Sequence, residues 1–303
     1  MKSKKNLFIC MTPFQLYFAT KIIEKKNIKD VLIFLIDLSH SEKNYYYLDK
    51  AKKITGCDVL VYQEKNSKKL FKIISFLKYI FLNFFLKKFE GVYIASLHDK
   101  YIHLLFKFIG FDKIYGFDDG VANINKDGLY FNDAFIKSKI IRRMEKHYTV
   151  FSGVENIIDV NRLEVLSVFD NSHGTGDAIN KIAFFIGQPY VELFDNKNEE
   201  EVNKIICDLG VDFYFKHPRE NNFFKGVEYV DTNEIFESFL ENYIKENPNT
   251  QIELYSFFST VMFNVSNFSN VRLIALVNEE LYQKYSYLYD LMPEFNVEKL
   301  WMK

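Results

Sequence analysis

Short apolar segments alternate with helical segments along almost the whole chain, and this alternation most restricts the possible fold. In the first half, strands are expected at 6–12, 31–37, 58–63, 91–97 and 113–119. Helical spacing is found at 14–25, 41–55, 67–88, 100–109 and 132–146. Continuous apolar strands that alternate with helices indicate a parallel sheet covered by helices on both faces.

The alternation pauses at about 168–180, a stretch rich in Gly, Asn and Asp, and then starts again. After this pause, strands are expected at 182–188, 212–218, 252–258 and 271–276, and helices at 197–209 and 234–246. We therefore predict two α/β domains, residues 1–178 and 179–303, joined by a linker and with a cleft between them.

Charge and apolar content exclude several classes of protein. The net charge is −1, from 39 basic and 40 acidic residues, so a general nucleic-acid binder, which needs a clear basic excess, is not expected. No uncharged apolar run reaches the roughly 18 residues of a transmembrane helix. The scattered Cys10, Cys57 and Cys207 lack metal-site spacing and are typical of reduced thiols in a cytosolic protein.

Polar and charged residues collect just after the predicted strands, where open α/β sheets bind their ligands. These groups are 11–15, Ser96 with His98, 118–120, 188–192, 216–219, and Ser259 with Thr260. Taken singly, several have ordinary structural explanations, such as a turn at Asp118-Asp119-Gly120 or a helix cap at Ser259. Their common position at one edge indicates a ligand site.

The segment YFKHPRE, residues 214–220, carries the most specific chemistry among these groups. A histidine between a lysine and an arginine can stabilise a departing phosphate and donate a proton to it, while a carboxylate removes a proton from an incoming hydroxyl. The sequence contains neither a P-loop motif nor a cluster of metal-ligating residues. This combination favours metal-free transfer of a group from a nucleotide-linked donor.

Six segments resemble glycosyltransferase family 52, the bacterial lipooligosaccharide sialyltransferases. They are VYIASL (92–97), YGFDDGVANI (115–124), EKHYTVFSGVENIID (145–159), KHPRE (216–220), KENPNTQIELYSFFST (245–260) and FSNVRLIAL (268–276). The resemblance implies a GT-B fold, with two Rossmann-like domains around a cleft and the CMP-sugar bound mainly by the C-terminal domain. It also implies a homodimer and inverting, metal-independent transfer of sialic acid from CMP-Neu5Ac to a terminal galactose of a lipooligosaccharide or capsule, in α2,3 linkage and without a cofactor.

The resemblance also assigns roles to individual residues. It implies that His217 is the general acid, and that the CMP phosphate, ribose and nucleoside are bound by Phe215, Lys216, Pro218, Arg219, Phe236, Glu237, Ser259 and Thr260. Gln15 and Asp118 are further candidates for substrate binding. The family's typical general base is an aspartate directly after a Gly-x-Pro sequence, but Tyr190 follows Gly187-Gln188-Pro189 in this chain. The base is therefore expected to be Glu192, with Asp119 and Asp195 as alternatives.

Two other functions remain open at this point. A family-52 enzyme could use another nucleotide sugar, such as one that carries glucose or galactose, and a non-catalytic relative could bind glycans or nucleotides. Residues 67–88 combine an apolar stripe with lysines, which indicates either a helix buried in the core or a dimer, or peripheral contact with the inner face of the cell membrane. The expected location is the cytoplasm, free or at that membrane face.

Overall fold

The computed structural model describes residues 5–65, 68–132, 139–169, 180–194, 199–220 and 222–302, and for residues 191 and 192 it describes the backbone alone. The chain divides into two compact units, Met1–Val168 and Phe169–Lys303. The sequence-based boundary was placed ten residues later, at 178, and most of the predicted linker lies outside the described residues.

The first unit is built on a parallel sheet whose described strands follow the order β3-β2-β1-β4-β5-β6-β7. The strands are β1 (Lys5–Cys10), β2 (Val31–Asp37), β3 (Asp58–Gln63), β4 (Lys88–Ile94), β5 (Gly110–Phe117), β6 (Met144–Thr149) and β7 (Leu163–Val165). The helices are α1 (Pro13–Lys26), α2 (Glu42–Thr55), α3 (Lys69–Phe84), α4 (Lys100–Leu105) and α5 (Leu129–Asn132). Every residue of β2 is buried, as expected for a strand covered on both faces.

The second unit repeats this plan with a parallel sheet in the order β10-β9-β8-β11-β12-β13. Its strands are β8 (Asn180–Ile186), β9 (Phe213–Phe215), β10 (Glu228–Tyr229), β11 (Thr250–Ser256), β12 (Val271–Val277) and β13 (Val297–Trp301). Its helices are α6 (Tyr190–Leu193), α7 (Glu199–Asp208), α8 (Phe236–Glu246), α9 (Thr260–Asn264) and α10 (Glu279–Leu291).

Both sheets have the strand order of a Rossmann fold. In such sheets the order reverses between two central strands, and ligands bind beyond the carboxyl ends of the strands at this switch point. The reversal lies between β1 and β4 in the first unit, and between β8 and β11 in the second. Functional side chains are therefore expected at the carboxyl ends of these four strands.

Aromatic side chains fill much of the core beneath these strand ends. In the second unit, Phe184 on β8 is fully buried, and its ring meets the rings of Phe236 and Tyr243 on α8 edge to face, at centroid distances of 6.0 and 5.3 Å. In the first unit, Phe34 on β2 packs against Phe76 and Phe84 of α3. These ring contacts pack α8 against β8 and α3 against β2.

The predicted alternation of parallel strands and helices is confirmed, and the strands expected at 31–37 and 58–63 have the predicted bounds. The prediction of a helix over 132–146 is wrong at its end, because Met144–Thr149 forms β6. Within β6, His147 and Thr149 are buried, and local periodicity cannot reveal the hydrogen bonds that make a buried histidine tolerable there. Across the described ranges, none of the helices combines the length and apolarity needed to cross a bilayer.

Candidate active site

The KHPRE segment forms a tight turn directly after β9, and Glu220 holds this turn together. The backbone N–H of Glu220 donates to the carbonyl of His217 at 2.9 Å, and the His217 N–H donates to Glu220 Oε2 at 2.9 Å. Below the turn, the Tyr214 hydroxyl donates to Glu220 Oε1 at 2.6 Å. The buried carboxylate thus anchors the backbone at His217.

The ring of His217 is oriented by its own turn. The Arg219 backbone N–H donates to His217 Nδ1 at 3.1 Å, so Nδ1 acts as the acceptor. A neutral imidazole has one acceptor and one donor nitrogen, which places the ring proton on Nε2. Because the side chain is half-buried, this arrangement suits a ring that offers an Nε2–H group to an anion.

Two cations accompany His217, and both lie at least partly open to water. The Lys216 ammonium lies 3.4 Å from the centroid of the Phe223 ring, a cation–π contact that holds the long side chain in place. Pro218 and Arg219 are exposed at the tip of the turn. A basic, water-accessible turn of this kind is suited to an anionic group.

Gly187, at the end of β8, lies directly against this turn. Its N–H donates to the carbonyl of Phe215 at 2.9 Å. A Cβ atom built on Gly187 would lie 2.5 Å from the Tyr214 hydroxyl and closer still to Glu220 Oε2, well inside van der Waals contact. Glycine is therefore required for the Glu220 carboxylate to pass behind the turn.

Gln188 joins the two central strands of this sheet at the switch point. Its Oε1 accepts hydrogen bonds from the Phe258 N–H at 2.6 Å and from Ser256 Oγ at 3.2 Å. Beyond β11, Ser259 caps α9 by accepting from the Val261 N–H at 3.3 Å, and the neighbouring Thr260 is half-buried. The structure therefore brings the ends of β8, β9 and β11 together, as the sequence predicted.

Three other predicted ligands are buried side chains. Phe215 and Phe236 are core residues whose rings meet edge to face at 5.0 Å, so their contact with a nucleotide would have to come from the backbone. Glu237 is also buried, and its Oε1 accepts from Asn264 Nδ2 at 2.8 Å. This bond links the first turn of α8 to α9 and gives Glu237 a part in positioning the two helices.

Less of the structure is described around the candidate general bases of the second unit. Glu192 belongs to α6, which begins three residues after Gly187, and its side chain is not among the described ones. Asp195 lies outside the described residues. The side chain of Tyr190, which stands where the family's typical aspartate is expected, is buried against Phe224. The identity of the base therefore stays a prediction.

A second polar cluster surrounds Asp119 at the switch point of the first unit. Asp119 Oδ1 accepts from Gln15 Nε2 at 2.7 Å, and Oδ2 accepts from Ser96 Oγ at 2.9 Å and from the Tyr130 hydroxyl at 3.2 Å. Gln15 is fully buried and also donates to Ser96 Oγ. Asp119 itself is half-buried, so the cluster presents a carboxylate held by three donors.

Asp118 points into the protein and supports β6. Its Oδ1 lies 2.9 Å from His147 Nε2, and its Oδ2 accepts from the Val150 N–H at 2.7 Å. Asn123 Nδ2 also lies 2.8 Å from His147 Nε2. Since Asp118 is fully buried and both its oxygens have partners, its placement favours a structural role over the predicted contact with substrate.

Sequence reasoning missed Glu220, Tyr130 and the bridging role of Gln188. Each acts through contacts with residues far apart in the chain or through a backbone turn, so no short motif marks it. For Glu220 a local signal exists: it closes the KHPRE motif and follows His217 by three residues, a spacing at which a carboxylate can reach back to a backbone N–H.

We expect Glu220→Ala to lower the free energy of unfolding by about 2–4 kcal/mol, because it leaves the Tyr214 hydroxyl and the His217 N–H buried without their acceptor. Urea denaturation of the variant measures this loss. Turnover should fall as well, since His217 loses its anchor.

The matched control is Glu220→Gln, which keeps the volume and one acceptor oxygen. It should lower the free energy of unfolding less than the alanine change does.

Burial raises the pKa of the Glu220 carboxyl above its ordinary value of 4.5, while the bonds from Tyr214 and His217 oppose this rise. Its contribution to stability is therefore greatest at low pH and decreases as the pH rises through the folded-state pKa. The stability of Glu220→Gln relative to wild type should rise over the same interval. If Glu220→Ala and Glu220→Gln both had the free energy of unfolding of wild type, an anchoring role for Glu220 would be contradicted.

Comparison with known proteins identifies the family. Residues 29–280 match the profile described as Glycosyltransferase family 52. The chain belongs to glycosyltransferase family 52. The resemblance inferred from the six segments is thereby confirmed, and this family-52 chain is a glycosyltransferase.

Two curated relatives match nearly the whole chain. The CMP-N-acetylneuraminate:beta-galactoside alpha-2,3-sialyltransferase of Pasteurella multocida (strain Pm70) is 30% identical, over 96% of this chain and 97% of its own length. The N-acetyllactosaminide alpha-2,3-sialyltransferase of Haemophilus influenzae (strain ATCC 51907 / DSM 11121 / KW20 / Rd) is 27% identical, over 96% and 98%.

Solved structures agree on the fold. UGT89C1 from Arabidopsis thaliana, in complex with UDP-L-rhamnose, has a TM-score of 0.53 at 11% identity and covers 100% of this chain and 86% of its own. The UDP complex of S. aureus MnaA has a TM-score of 0.50 at 10% identity, with coverages of 98% and 92%. The family-52 chain therefore has the predicted α/β fold of GT-B type with two Rossmann-like units.

Proposed function

We propose that this protein is an inverting, metal-independent sialyltransferase that moves sialic acid from CMP-Neu5Ac to a terminal galactose of a bacterial surface glycan, in α2,3 linkage. The observation that carries the proposal is the KHPRE turn, in which His217, Lys216 and Arg219 are presented at the end of β9 by the buried Glu220. The names of the relatives, matched over nearly their full length, support the choice of donor and acceptor.

In this proposal the KHPRE turn receives the CMP phosphate. Lys216 and Arg219 neutralise its charge, and His217 directs Nε2–H toward the departing oxygen. Ser259 and Thr260 add hydrogen-bonding groups at the end of β11. Pro218 shapes the turn, and Glu237, through Asn264, holds α8 and α9 in position beside it.

The acceptor hydroxyl must lose a proton as it attacks the sugar. We propose Glu192 for this step, since it follows the Gly187-Gln188-Pro189 segment by three residues at the end of β8. Asp119, in its cluster with Gln15, is the alternative that the first unit offers, and Asp195 is the third candidate.

A panel of donors tests the proposal against its alternatives. The purified protein is incubated with lactose and with CMP-Neu5Ac, UDP-glucose or UDP-galactose, and released nucleotide and new glycan are quantified. We expect transfer to lactose from CMP-Neu5Ac and from neither UDP-sugar. Transfer from a UDP-sugar would favour the family-52 alternative, and absence of both transfer and donor hydrolysis would favour a non-catalytic binding protein.

The reaction should continue undiminished in excess EDTA, because Lys216, His217 and Arg219 supply the positive charge and proton that the departing phosphate needs. Rates measured with EDTA and with added Mg²⁺ or Mn²⁺ check this expectation. A rate that collapses in EDTA and is restored by either metal would contradict it.

We also propose, from the resemblance, that the protein is a cytoplasmic homodimer. Cys10, Cys57 and Cys207 are all free thiols, which fits a reducing compartment. Sedimentation velocity of the purified chain tests the dimer, and fractionation of cells that express the protein tests the location.

A further inference from the structure

Phe223 is a solvent-exposed phenylalanine beside the KHPRE turn. Its side chain is 66% exposed, and a single exposed apolar residue on a protein surface needs no special explanation. The centre of its ring, however, lies only 3.4 Å from the Lys216 ammonium. An ammonium over the face of an aromatic ring is attracted by the negative charge of that face. The ring therefore has a charged partner in the turn that we propose binds the donor.

The chain directly after Phe223 is fixed by two different elements of the second unit. The Phe224 N–H donates to the Tyr229 hydroxyl on β10 at 2.6 Å. The Lys225 N–H donates to Asn203 Oδ1 on α7 at 2.7 Å. Because these bonds tie the backbone to both α7 and β10, the Phe223 ring is presented at a defined place beside the turn.

The Phe223 ring also has a support of its own. It packs against the Tyr229 ring at a centroid distance of 5.4 Å, and Tyr229 packs against Tyr214 at 5.1 Å. The Tyr214 hydroxyl donates to Glu220, the residue that anchors the turn. The ring that contacts the ammonium and the carboxylate that holds the turn are therefore supported by the same pair of tyrosines.

The kind of partner matters for an ammonium that has to bind an anion. A carboxylate in hydrogen-bond contact would neutralise Lys216 and compete with a phosphate for its N–H donors. Both oxygens of Glu220, the acidic residue of the turn, accept hydrogen bonds from Tyr214 and His217. The face of a ring attracts the ammonium without removing its charge. The Phe223 contact thus leaves Lys216 able to bind an incoming phosphate.

Holding Lys216 in advance also favours binding. The lysine side chain has a flexible four-carbon stem, and fixing such a side chain on ligand binding costs free energy. Lys216 is already half-buried, with its ammonium over the Phe223 ring. Part of the ordering therefore precedes binding, and removing the ring should weaken the affinity for the phosphate.

We propose that Phe223 is a positioning residue for the nucleotide-sugar donor, whose ring holds the Lys216 ammonium, still charged, where the CMP phosphate binds. The proposal rests on the proposed function, since it takes the KHPRE turn as the phosphate site. Phe223 acts through Lys216, so the effect of removing the ring depends on the presence of the ammonium. This dependence distinguishes positioning from a general contribution of Phe223 to folding.

A double-mutant cycle with CMP as the ligand tests this dependence. Calorimetry measures CMP binding to the full chain as wild type, Phe223→Leu, Lys216→Gln and the double variant. We expect Phe223→Leu to weaken CMP binding about 3- to 10-fold. Lys216→Gln should weaken it about 10-fold or more, since it removes a charged donor to the phosphate. In the Lys216→Gln background, the leucine change should alter the affinity by less than about twofold.

Two further variants serve as controls. Phe223→Trp keeps an aromatic face, and indole binds cations at least as well as benzene, so its CMP affinity should equal or exceed that of wild type. Phe71→Leu makes the same leucine change at an exposed phenylalanine on α3 and should bind CMP like wild type. Urea denaturation of both leucine variants should give the wild-type midpoint, because the two side chains are exposed.

Each possible failure has a separate meaning. An equal loss of CMP affinity from Phe223→Leu in the wild-type and Lys216→Gln backgrounds would overturn the proposal, because the ring would then act without the ammonium. Wild-type affinity in Phe223→Leu, with weak binding in Lys216→Gln, would also overturn it and leave the proposed donor site intact. Wild-type affinity in Lys216→Gln, or absence of CMP binding by wild type, would overturn both the positioning role and the proposed phosphate site.

Discussion

Replacing His217 with alanine is expected to lower the rate of sialyl transfer from CMP-sialic acid roughly 10²–10⁴-fold, with partial loss of CMP affinity. The proposed site depends on this ring to protonate the departing phosphate. The Arg219 N–H occupies Nδ1, so the neutral ring donates from Nε2. A fully protonated ring carries N–H on both nitrogens, so proton uptake requires the 217–219 turn to adjust, and we expect donor binding to promote this.

Two comparisons separate an acid from a hydrogen-bond donor at this position. The His217→Gln side chain can donate a hydrogen bond to phosphate but cannot transfer a proton, so it should be as slow as His217→Ala. A sialyl donor with a low-pKa aryl leaving group needs no proton, so both variants should recover much of their deficit with it, provided that binding is verified. An equal deficit with both donors would show that His217 binds or positions the phosphate.

Glu192→Gln is expected to reduce the rate of transfer about 10²-fold or more while CMP affinity stays near normal. Removing the base affects the acceptor hydroxyl in the transition state and leaves the phosphate contacts untouched. Single-turnover rates and CMP titrations with the same enzyme preparation measure the two effects separately.

Asp119→Asn provides the contrast. All three donors around Asp119 need an acceptor. In the variant, the NH₂ group of the asparagine would face one of these donors, so both stability and activity should fall. Ser96→Ala removes one donor from the same cluster and serves as its control. If Glu192 is the base, Asp119→Asn should reduce turnover only as far as it disturbs folding. A larger loss of turnover in Asp119→Asn, at unchanged stability, would move the base to Asp119.

Much of the fold could be predicted from local patterns. Fully buried parallel strands such as β2 are continuous apolar runs, and the helices between them have clear periodicity, so the doubly wound architecture follows from the sequence. Strand β6 could not be predicted in this way. Its histidine and threonine are polar in sequence. His147 is acceptable inside the sheet because of the distant Asp118, and the Thr149 hydroxyl accepts from the nearby Phe151 N–H.

The candidate site, too, could be predicted from the sequence only in part. The positions of Lys216, His217 and Ser259 follow from the rule that ligands lie beyond strand ends. The role of Glu220 depends on a close approach to Gly187, which follows β8 and lies 33 positions earlier in the chain. The burial of Phe215 and Phe236 depends on their mutual packing, which a motif does not record.

The product of the reaction tests the central claim most directly. Wild type and His217→Ala are incubated with CMP-Neu5Ac and lactose, and the glycan formed is analysed by NMR. We predict that wild type forms an α2,3-linked sialyl-lactose with one CMP released per sugar transferred, and that the variant forms it at least about 100-fold more slowly. A wild-type protein that forms no sialylated product, or forms it no faster than His217→Ala, would contradict the proposed sialyl transfer at the KHPRE turn.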